Sequence, residues 1–210
     1  MKWAVLVGGK GSNLRALLSQ ETPIALVVSH RSGVGAIAIA EEFGVPVEVL
    51  TKGEYPDRQH YDRVLRQTLH RYHIDAIAMA GFLRWLTKET VDAFRGRIVN
   101  IHPSLLPAFP GLHAIEQAYR YGVRWTGVTV HFVDEGQDTG PIIAQVPVRV
   151  DPSTSLEELE IAIHKVEHYL YPKVVAALDH HSVVLGEDGK IEWHVSQEEV
   201  RSWIDGLYLV

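Results

Sequence analysis

Short apolar runs alternate with amphipathic stretches through the first two thirds of the chain, the pattern of βα units built around a parallel sheet. The runs predict strands at Trp3–Val7, Ile24–Ser29, Val47–Leu50, Ala76–Ala80 and Arg97–Ile101. Between and after them, helices are predicted at Asn13–Leu18, Gly35–Phe43, Arg58–Tyr72, Thr87–Phe94 and His113–Tyr121. In the third helix Tyr61, Val64, Leu65, Leu69 and Tyr72 recur at helical spacing. Two longer strands follow, Gly127–Phe132 and Ile142–Val150, with Asp134–Pro141 as the loop of an antiparallel pair. A long helix is expected to begin at Ser153 or Ser155, where Ser155-Leu156-Glu157-Glu158 reads as a capping box. Leu156, Leu159, Ile163, Val166 and Leu170 form its apolar stripe, and Pro172 predicts a kink around Tyr169–Tyr171 because it removes a backbone donor. Val183–Leu185 and Ile191–His194 flank the hairpin signal Gly186-Glu187-Asp188-Gly189, and Ser196–Leu207 reads as a short amphipathic tail. The expected fold class is α/β, a Rossmann-like, mostly parallel sheet flanked by helices, with an antiparallel strand pair toward the C-terminal part.

Composition narrows the function classes. With 210 residues and 46% hydrophobic content, the chain can bury one sizeable core but falls short of two full domains. A net charge of −6 argues against a general nucleic-acid binder, which would carry a basic face. There is no cysteine, which excludes disulfides, thiolate nucleophiles and cysteine-ligated zinc. The apolar start Met1–Val7 is too short for a signal peptide, and no run approaches the ~18 apolar residues of a membrane span. A soluble, cytoplasmic protein with no membrane partner is expected.

In a parallel sheet the loops that leave the carboxyl ends of the strands gather along one edge, where ligands bind. Three unusual segments leave strands in this way: Gly8–Asn13, Gly81–Trp85 and Asn100–Gly111. The first is a glycine-rich turn into a helix. Such a turn either holds a phosphate on the backbone amides of the helix start or merely connects strand to helix. Leu14 stands where a dinucleotide fingerprint needs its third glycine, and Gly9-Lys10-Gly11 does not supply the Gly-Lys-Ser/Thr of a triphosphate loop. A monophosphate at Gly11, Ser12 and Asn13 remains compatible with the residues.

The strongest chemical signal is Asn100-Ile101-His102-Pro103-Ser104-Leu105-Leu106-Pro107. On an extended chain Asn100 and His102 project to the same side, and Pro103 keeps His102 out of the helical region. An amide donor beside a titratable imidazole suits acyl transfer: the amide stabilises an oxyanion and the imidazole moves a proton. Pro103, Pro107, Pro110 and Gly111 stiffen the loop that follows. Asp138 lies in the loop between the two long strands, and a carboxylate near an imidazole would orient it and favour its cation. Sequence alone does not bring Asp138 to His102.

Gly11-Ser12-Asn13-Leu14, Ala80-Gly81-Phe82-Leu83-Arg84, Asn100–Pro107, His131-Phe132-Val133 and Asp138-Thr139-Gly140-Pro141 occur in this order. In these motifs the chain resembles the glycinamide ribonucleotide formyltransferases, folate-dependent enzymes of purine biosynthesis, over roughly residues 1–180. The central motif belongs to formyl-transfer enzymes in general, and Pro110-Gly111-Leu112-His113 points to this family. The resemblance implies one formyltransferase domain over 1–210, with a phosphate-binding half at 1–100 and a catalytic and folate-binding half at 101–210. It implies 10-formyltetrahydrofolate as co-substrate and no metal. Asn100 would stabilise the oxyanion, His102 would protonate the departing folate nitrogen, and Asp138 would raise the pKa of His102 and position a relay water. Gly11, Ser12 and Asn13 would bind the phosphate, with His164 and Glu167 at the ribose; members usually carry a longer polar side chain where His164 stands. Leu83, Arg84, Trp85 and Leu86 would line the pterin pocket with Asp134, Glu135, Gly136 and Gln137, and Arg58 would meet the glutamate tail. The partners expected are small-molecule substrates, not nucleic acid. Because members often form dimers, a homodimer is also an expectation.

Three rival readings share parts of this pattern. Formyltetrahydrofolate deformylase uses the same central motif with water in place of the amine, but would not need the phosphate loop. Methionyl-tRNA formyltransferase would need an RNA-binding barrel and a more basic surface. A non-catalytic nucleotide-binding module would keep Gly11–Asn13 and has no use for Asn100, His102 and Asp138 together. A histidine metal site has little support: no His-Glu-x-x-His occurs, and the adjacent His180-His181 suit a surface turn.

Overall fold

The computed structural model describes residues 1–20, 22–196 and 198–199. The chain divides into two compact units, one from Met1 to Asn100 and the other from Ile101 onward. The first unit holds the parallel strands β1 (Trp3–Val7), β2 (Ile24–Ser29), β3 (Val47–Val49) and β4 (Ala76–Ala80) and the first three residues of β5 (Ile98–His102). Their order is β3-β2-β1-β4-β5. β1 and β4 are buried along their whole length, which is why they read as unbroken apolar runs. The helices of this unit are α1 (Ser12–Leu18), α2 (Gly35–Glu42), α3 (Arg58–Arg71) and α4 (Lys88–Ala93).

The turn from β1 into α1 is made possible by glycine. Gly11 caps α1 in the left-handed region at φ 86°, and a β-carbon there would come 2.6 Å from the Cα of Ala36 on α2. Small residues on the facing helix, Ala36 and Ala40, are fully buried and let α2 approach this closely. The amide of Ala36 donates to the carbonyl of Gly9 at 3.2 Å, which ties the loop to α2.

The second unit holds α5 (Ala114–Tyr121), β6 (Trp125–Phe132), β7 (Ile142–Arg149), α6 (Leu156–Asp179), β8 (Val183–Leu185) and β9 (Ile191–Trp193). β6 and β7 pair antiparallel, as do β8 and β9 around the expected turn. The capping box at Ser155 is present in full: the Ser155 hydroxyl accepts from the Glu158 amide, and the Glu158 carboxylate accepts from the Ser155 amide. Leu159, Ile163, Val166 and Leu170 are buried as the stripe predicted, and the helix continues through Pro172 to Asp179. His180-His181 do lie in a turn. Of the expected tail, residue 197 and residues 200–207 lie outside the described residues.

Predicted element boundaries agree to within two residues, with the long helix starting after Ser155 and not at Ser153. One shift matters for chemistry: β5 begins at Ile98 and ends at His102, where Arg97–Ile101 was expected. His102 is therefore the last residue of the strand, held extended by it as well as by Pro103.

Two histidines are withdrawn from water. His30 is 8% exposed and His131 is 2% exposed, and burial pushes both below the ordinary value of 6.5. As pH falls through about 6.5 the unfolded chain takes up protons at these positions before the native protein does, so stability is complete above that value and is lost below it. Each proton taken up costs up to about 1.4 kcal/mol per pH unit. Urea midpoints measured at pH 7.5 and pH 5.5 should fall on acidification; an unchanged or higher midpoint at pH 5.5 would contradict this account of the buried imidazoles.

Candidate active site

The sheet register of the first unit gathers its notable loops at one edge. Val7 lies opposite Ser29 and Ala80, and Met79 lies opposite Asn100. The segments 8–13 and 81–86 and the side chain of Asn100 therefore share the carboxyl ends of neighbouring strands. At Gly8 the backbone is approached so closely by His30 that a β-carbon would fall 1.7 Å from the imidazole Cε1. His30 Nδ1 bonds the carbonyl of Val7 at 2.9 Å, and its ring stands edge-on to Phe82 at 5.0 Å. This histidine links the two loops. It follows directly on Ser29, the last residue of β2.

Gly11, Ser12 and Asn13 open α1, where the first backbone amides have no partner inside the helix. The segment after β4 turns at Gly81, whose φ is 72°. Phe82 and Leu86 are buried, whereas Leu83 and Trp85 are exposed at 59% and 57%. Arg84 lies over the face of Tyr61 at 3.6 Å. Arg58 does not extend freely into solvent: its Nε donates to the carbonyl of Trp85 at 3.1 Å and its Nη2 donates to the carbonyl of Leu86.

Asn100 and His102 stand two residues apart on β5, on one face of the strand. In the second unit His102 is 4% exposed and bonds through Nε2 to the carbonyl of Phe109 at 2.8 Å. A nitrogen bonded to a carbonyl carries the proton, so Nε2 is the N–H and Nδ1 is the nitrogen left for chemistry. Nδ1 faces Asp138 Oδ2 at 3.6 Å. The same carboxylate faces His131 Nε2 through Oδ1 at 3.8 Å and accepts the amide of Gly111 through Oδ2 at 2.7 Å. His131 Nδ1 donates to the carbonyl of Phe132 at 2.7 Å. Each imidazole thus spends one nitrogen on the backbone and turns the other toward one carboxylate. Burial keeps His131 neutral at pH 7.

Local structure accounts for this convergence. The β6–β7 register slips between Val130 and His131, a bulge that alters the pairing where His131 must aim. Asp138 sits at φ 54°, in the left-handed region that aspartate tolerates better than most residues. The loop around it is tied down by Asp134, whose Oδ1 accepts the Gly136 amide at 2.9 Å and the Thr139 hydroxyl at 2.8 Å. The loop after His102 is pinned by more than its prolines. Thr129 Oγ1 accepts the Leu106 amide at 3.1 Å and donates to the Ser104 carbonyl at 2.7 Å, while Gln145 Nε2 donates to the Leu106 carbonyl at 2.9 Å.

Other predicted residues fall as follows. Gln137 lies against Gly111, where a β-carbon would meet its Nε2 at 2.5 Å, and Glu135 is exposed. On α6 Glu167 is buried at 5% exposure, while His164 is exposed, its ring 6.3 Å from and nearly parallel to that of His168. In the sequence His131 belongs to the motif His131-Phe132-Val133, and a histidine inside the apolar run Gly127–Phe132 is the signal for it. No cluster of three metal-ligating side chains occurs among the described residues. Nor is any described helix long and apolar enough to cross a membrane.

The sequence pattern of the formyl transferase family matches residues 1–175. Phosphoribosylglycinamide formyltransferase of Bacillus subtilis (strain 168) is 40% identical over 183 residues, spanning 84% of this chain and 94% of the relative. The trifunctional purine biosynthetic protein adenosine-3 of Drosophila melanogaster is 42% identical over 183 residues, but this chain covers only 14% of that longer protein. Among solved structures, glycinamide ribonucleotide transformylase 1 from Symbiobacterium toebii superposes with a TM-score of 0.87 at 36% identity, covering 92% of this chain and 93% of that one. Fold, motif order and near full-length similarity agree: the chain belongs to the formyl transferase family, among its phosphoribosylglycinamide formyltransferases.

Proposed function

We propose that this protein transfers a formyl group from 10-formyltetrahydrofolate to the amine of glycinamide ribonucleotide, a step of purine biosynthesis. The observation that carries this reading is the half-buried carboxylate of Asp138 facing Nδ1 of His102 at 3.6 Å, with Asn100 two residues earlier on the same strand. The amine attacks the formyl carbon, a new C–N bond forms, and negative charge develops on the formyl oxygen. The Asn100 amide donates to that oxyanion, an interaction of the kind worth about 100- to 1,000-fold in rate. His102, carrying a second proton on Nδ1 at this step, delivers that proton to N10 of the folate as the old C–N bond breaks. The proton lost by the amine returns to Nδ1 through water held by Asp138, so the cycle ends with formylated ribonucleotide and tetrahydrofolate and no net proton consumed from the protein.

Asp138 and His102 are 3.6 Å apart, wider than a direct hydrogen bond, which leaves the exchange between them to a bridging water or a small approach on ligand binding. Gly11, Ser12 and Asn13 take the phosphate, and Glu167 and His164 the ribose. Leu83, Arg84, Trp85 and Leu86, with the loop Asp134–Gln137, take the pterin. The reaction needs no metal, because donors and acids of the chain supply both the charge stabilisation and the proton. As an enzyme of small soluble substrates the protein works in the cytoplasm, and a homodimer is its proposed assembly.

Two measurements test the reading. Purified protein with both substrates should form formylated ribonucleotide at a rate that depends on the amine; formate release at the same rate without the ribonucleotide would replace this reading with a deformylase. His102→Ala and Asp138→Asn should each lower kcat by about 100-fold or more, while the ribonucleotide Kd stays within about threefold by calorimetry. Unchanged turnover in either variant would remove that residue from the mechanism.

A further inference from the structure

Three of the four residues that open the turn after β1 are glycine, Gly8, Gly9 and Gly11, so the turn has few side chains with which to hold itself. Glycine also gives up more conformational freedom than any other residue when it is ordered. The ties must come from outside. α2 supplies one set: the Ala36 amide donates to the Gly9 carbonyl, and the Lys10 carbonyl passes where a β-carbon on Gly35 would meet it at 2.7 Å. His30 supplies the other set, at the entrance. Its backbone amide and its Nδ1 both donate to the Val7 carbonyl, at 3.2 and 2.9 Å. Its ring occupies the place of the side chain that Gly8 lacks: the three atoms nearest that position are Cε1, Nδ1 and Nε2 of His30, at 1.7, 2.4 and 2.6 Å. His30 is itself fixed, with Phe82 edge-on to its ring and the Ser29 hydroxyl donating to the Arg31 carbonyl at 2.6 Å around it. Burial above all, with Arg84 and Arg31 adding to it against the Val7 hydrogen bond, holds its pKa below 6.5. At pH 7 the ring therefore contributes shape and one donor, without charge.

A ring in that place restricts the turn in two ways. It blocks the space into which the Gly8 backbone could otherwise swing, and by engaging both lone pairs of the Val7 carbonyl it fixes the peptide that enters the turn. We infer that His30 is a positioning residue for the substrate phosphate: by standing in for the missing Gly8 side chain it sets the turn that presents the backbone amides of Gly11, Ser12 and Asn13. This rests on the reading of those three residues as the phosphate site. With the ring removed, the phosphate would have to order the turn as it binds, and that ordering is subtracted from affinity. The reacting end of the substrate is served by Asn100 and His102 on β5, so the cost falls on the phosphate and spares turnover.

The test is a double-mutant cycle on Gly8→Ala and His30→Ala, read with two formyl acceptors, glycinamide ribonucleotide and the same ribonucleoside without its phosphate. Each single variant should raise KM for the ribonucleotide about tenfold, with kcat, the formyl-donor KM and the kcat/KM of the ribonucleoside within about twofold. With the ring gone the methyl of an alanine at position 8 has room, so the double variant should be no worse than His30→Ala alone. Penalties that multiply to about 100-fold in the double variant would mean that ring and glycine act separately, and would overturn the inference. An equal loss on ribonucleotide and ribonucleoside, the mark of a general loosening of the fold, would overturn it as well. The wild-type protein separates the two layers. If it uses both acceptors with equal kcat/KM, the phosphate reading of Gly11–Asn13 fails and the inference fails with it; if it prefers the phosphorylated acceptor and the His30 variants keep that preference in full, the inference alone fails. His30→Gln, which keeps a donor for the Val7 carbonyl, replaces His30→Ala should circular dichroism show that protein unfolded, and is held to the same contrast between acceptors.

Discussion

One carboxylate sets the geometry of the histidine pair in the second unit. Asp138 faces His102 and His131 and accepts the Gly111 amide, while each imidazole has already committed its other nitrogen to a backbone carbonyl. With Nε2 of His102 bonded to the Phe109 carbonyl, Nδ1 is the nitrogen that faces Asp138. The half-buried carboxylate takes its hydrogen bond from the Gly111 amide. The left-handed backbone at Asp138, the tied loop and the β6–β7 bulge are the local adjustments that make the arrangement fit.

The first half of the chain works by a different economy, in which close backbone approach replaces charge. Gly8 leaves room for His30, and Gly11 lets α2 reach the turn that opens α1. The loop that follows β4 is held from outside by α3, so its two exposed apolar residues are fixed without being buried. Exposed and ordered together is what a binding surface for a flat ring requires, because little further entropy is lost when the ring arrives.

Much of this was legible in the sequence, and the limits follow from physics. Unbroken apolar runs identify β1 and β4 because both faces of a central parallel strand are buried. The alternation along an extended chain places Asn100 and His102 on one face without any structure. Long-range pairings were not legible from spacing: Asp138 lies 36 residues beyond His102, and only the resemblance suggested that they meet. His131 was hidden because β6 is buried from Thr126 to Phe132, so no alternation marks which residue faces the site. The hydrogen bonds from Arg58 to Trp85 and Leu86 were invisible for a related reason. Their acceptors are carbonyls, and every residue has one.

The central claim is that Asn100, His102 and Asp138 act on the formyl carbon as one unit. A crystal structure of the protein with glycinamide ribonucleotide and a non-transferable analogue of the formyl folate would test it most directly. The account predicts the analogue's formyl oxygen within hydrogen-bond distance of the Asn100 side-chain amide, its N10 position facing the His102 ring, and a water on Asp138. A formyl group bound away from both Asn100 and His102 would contradict it.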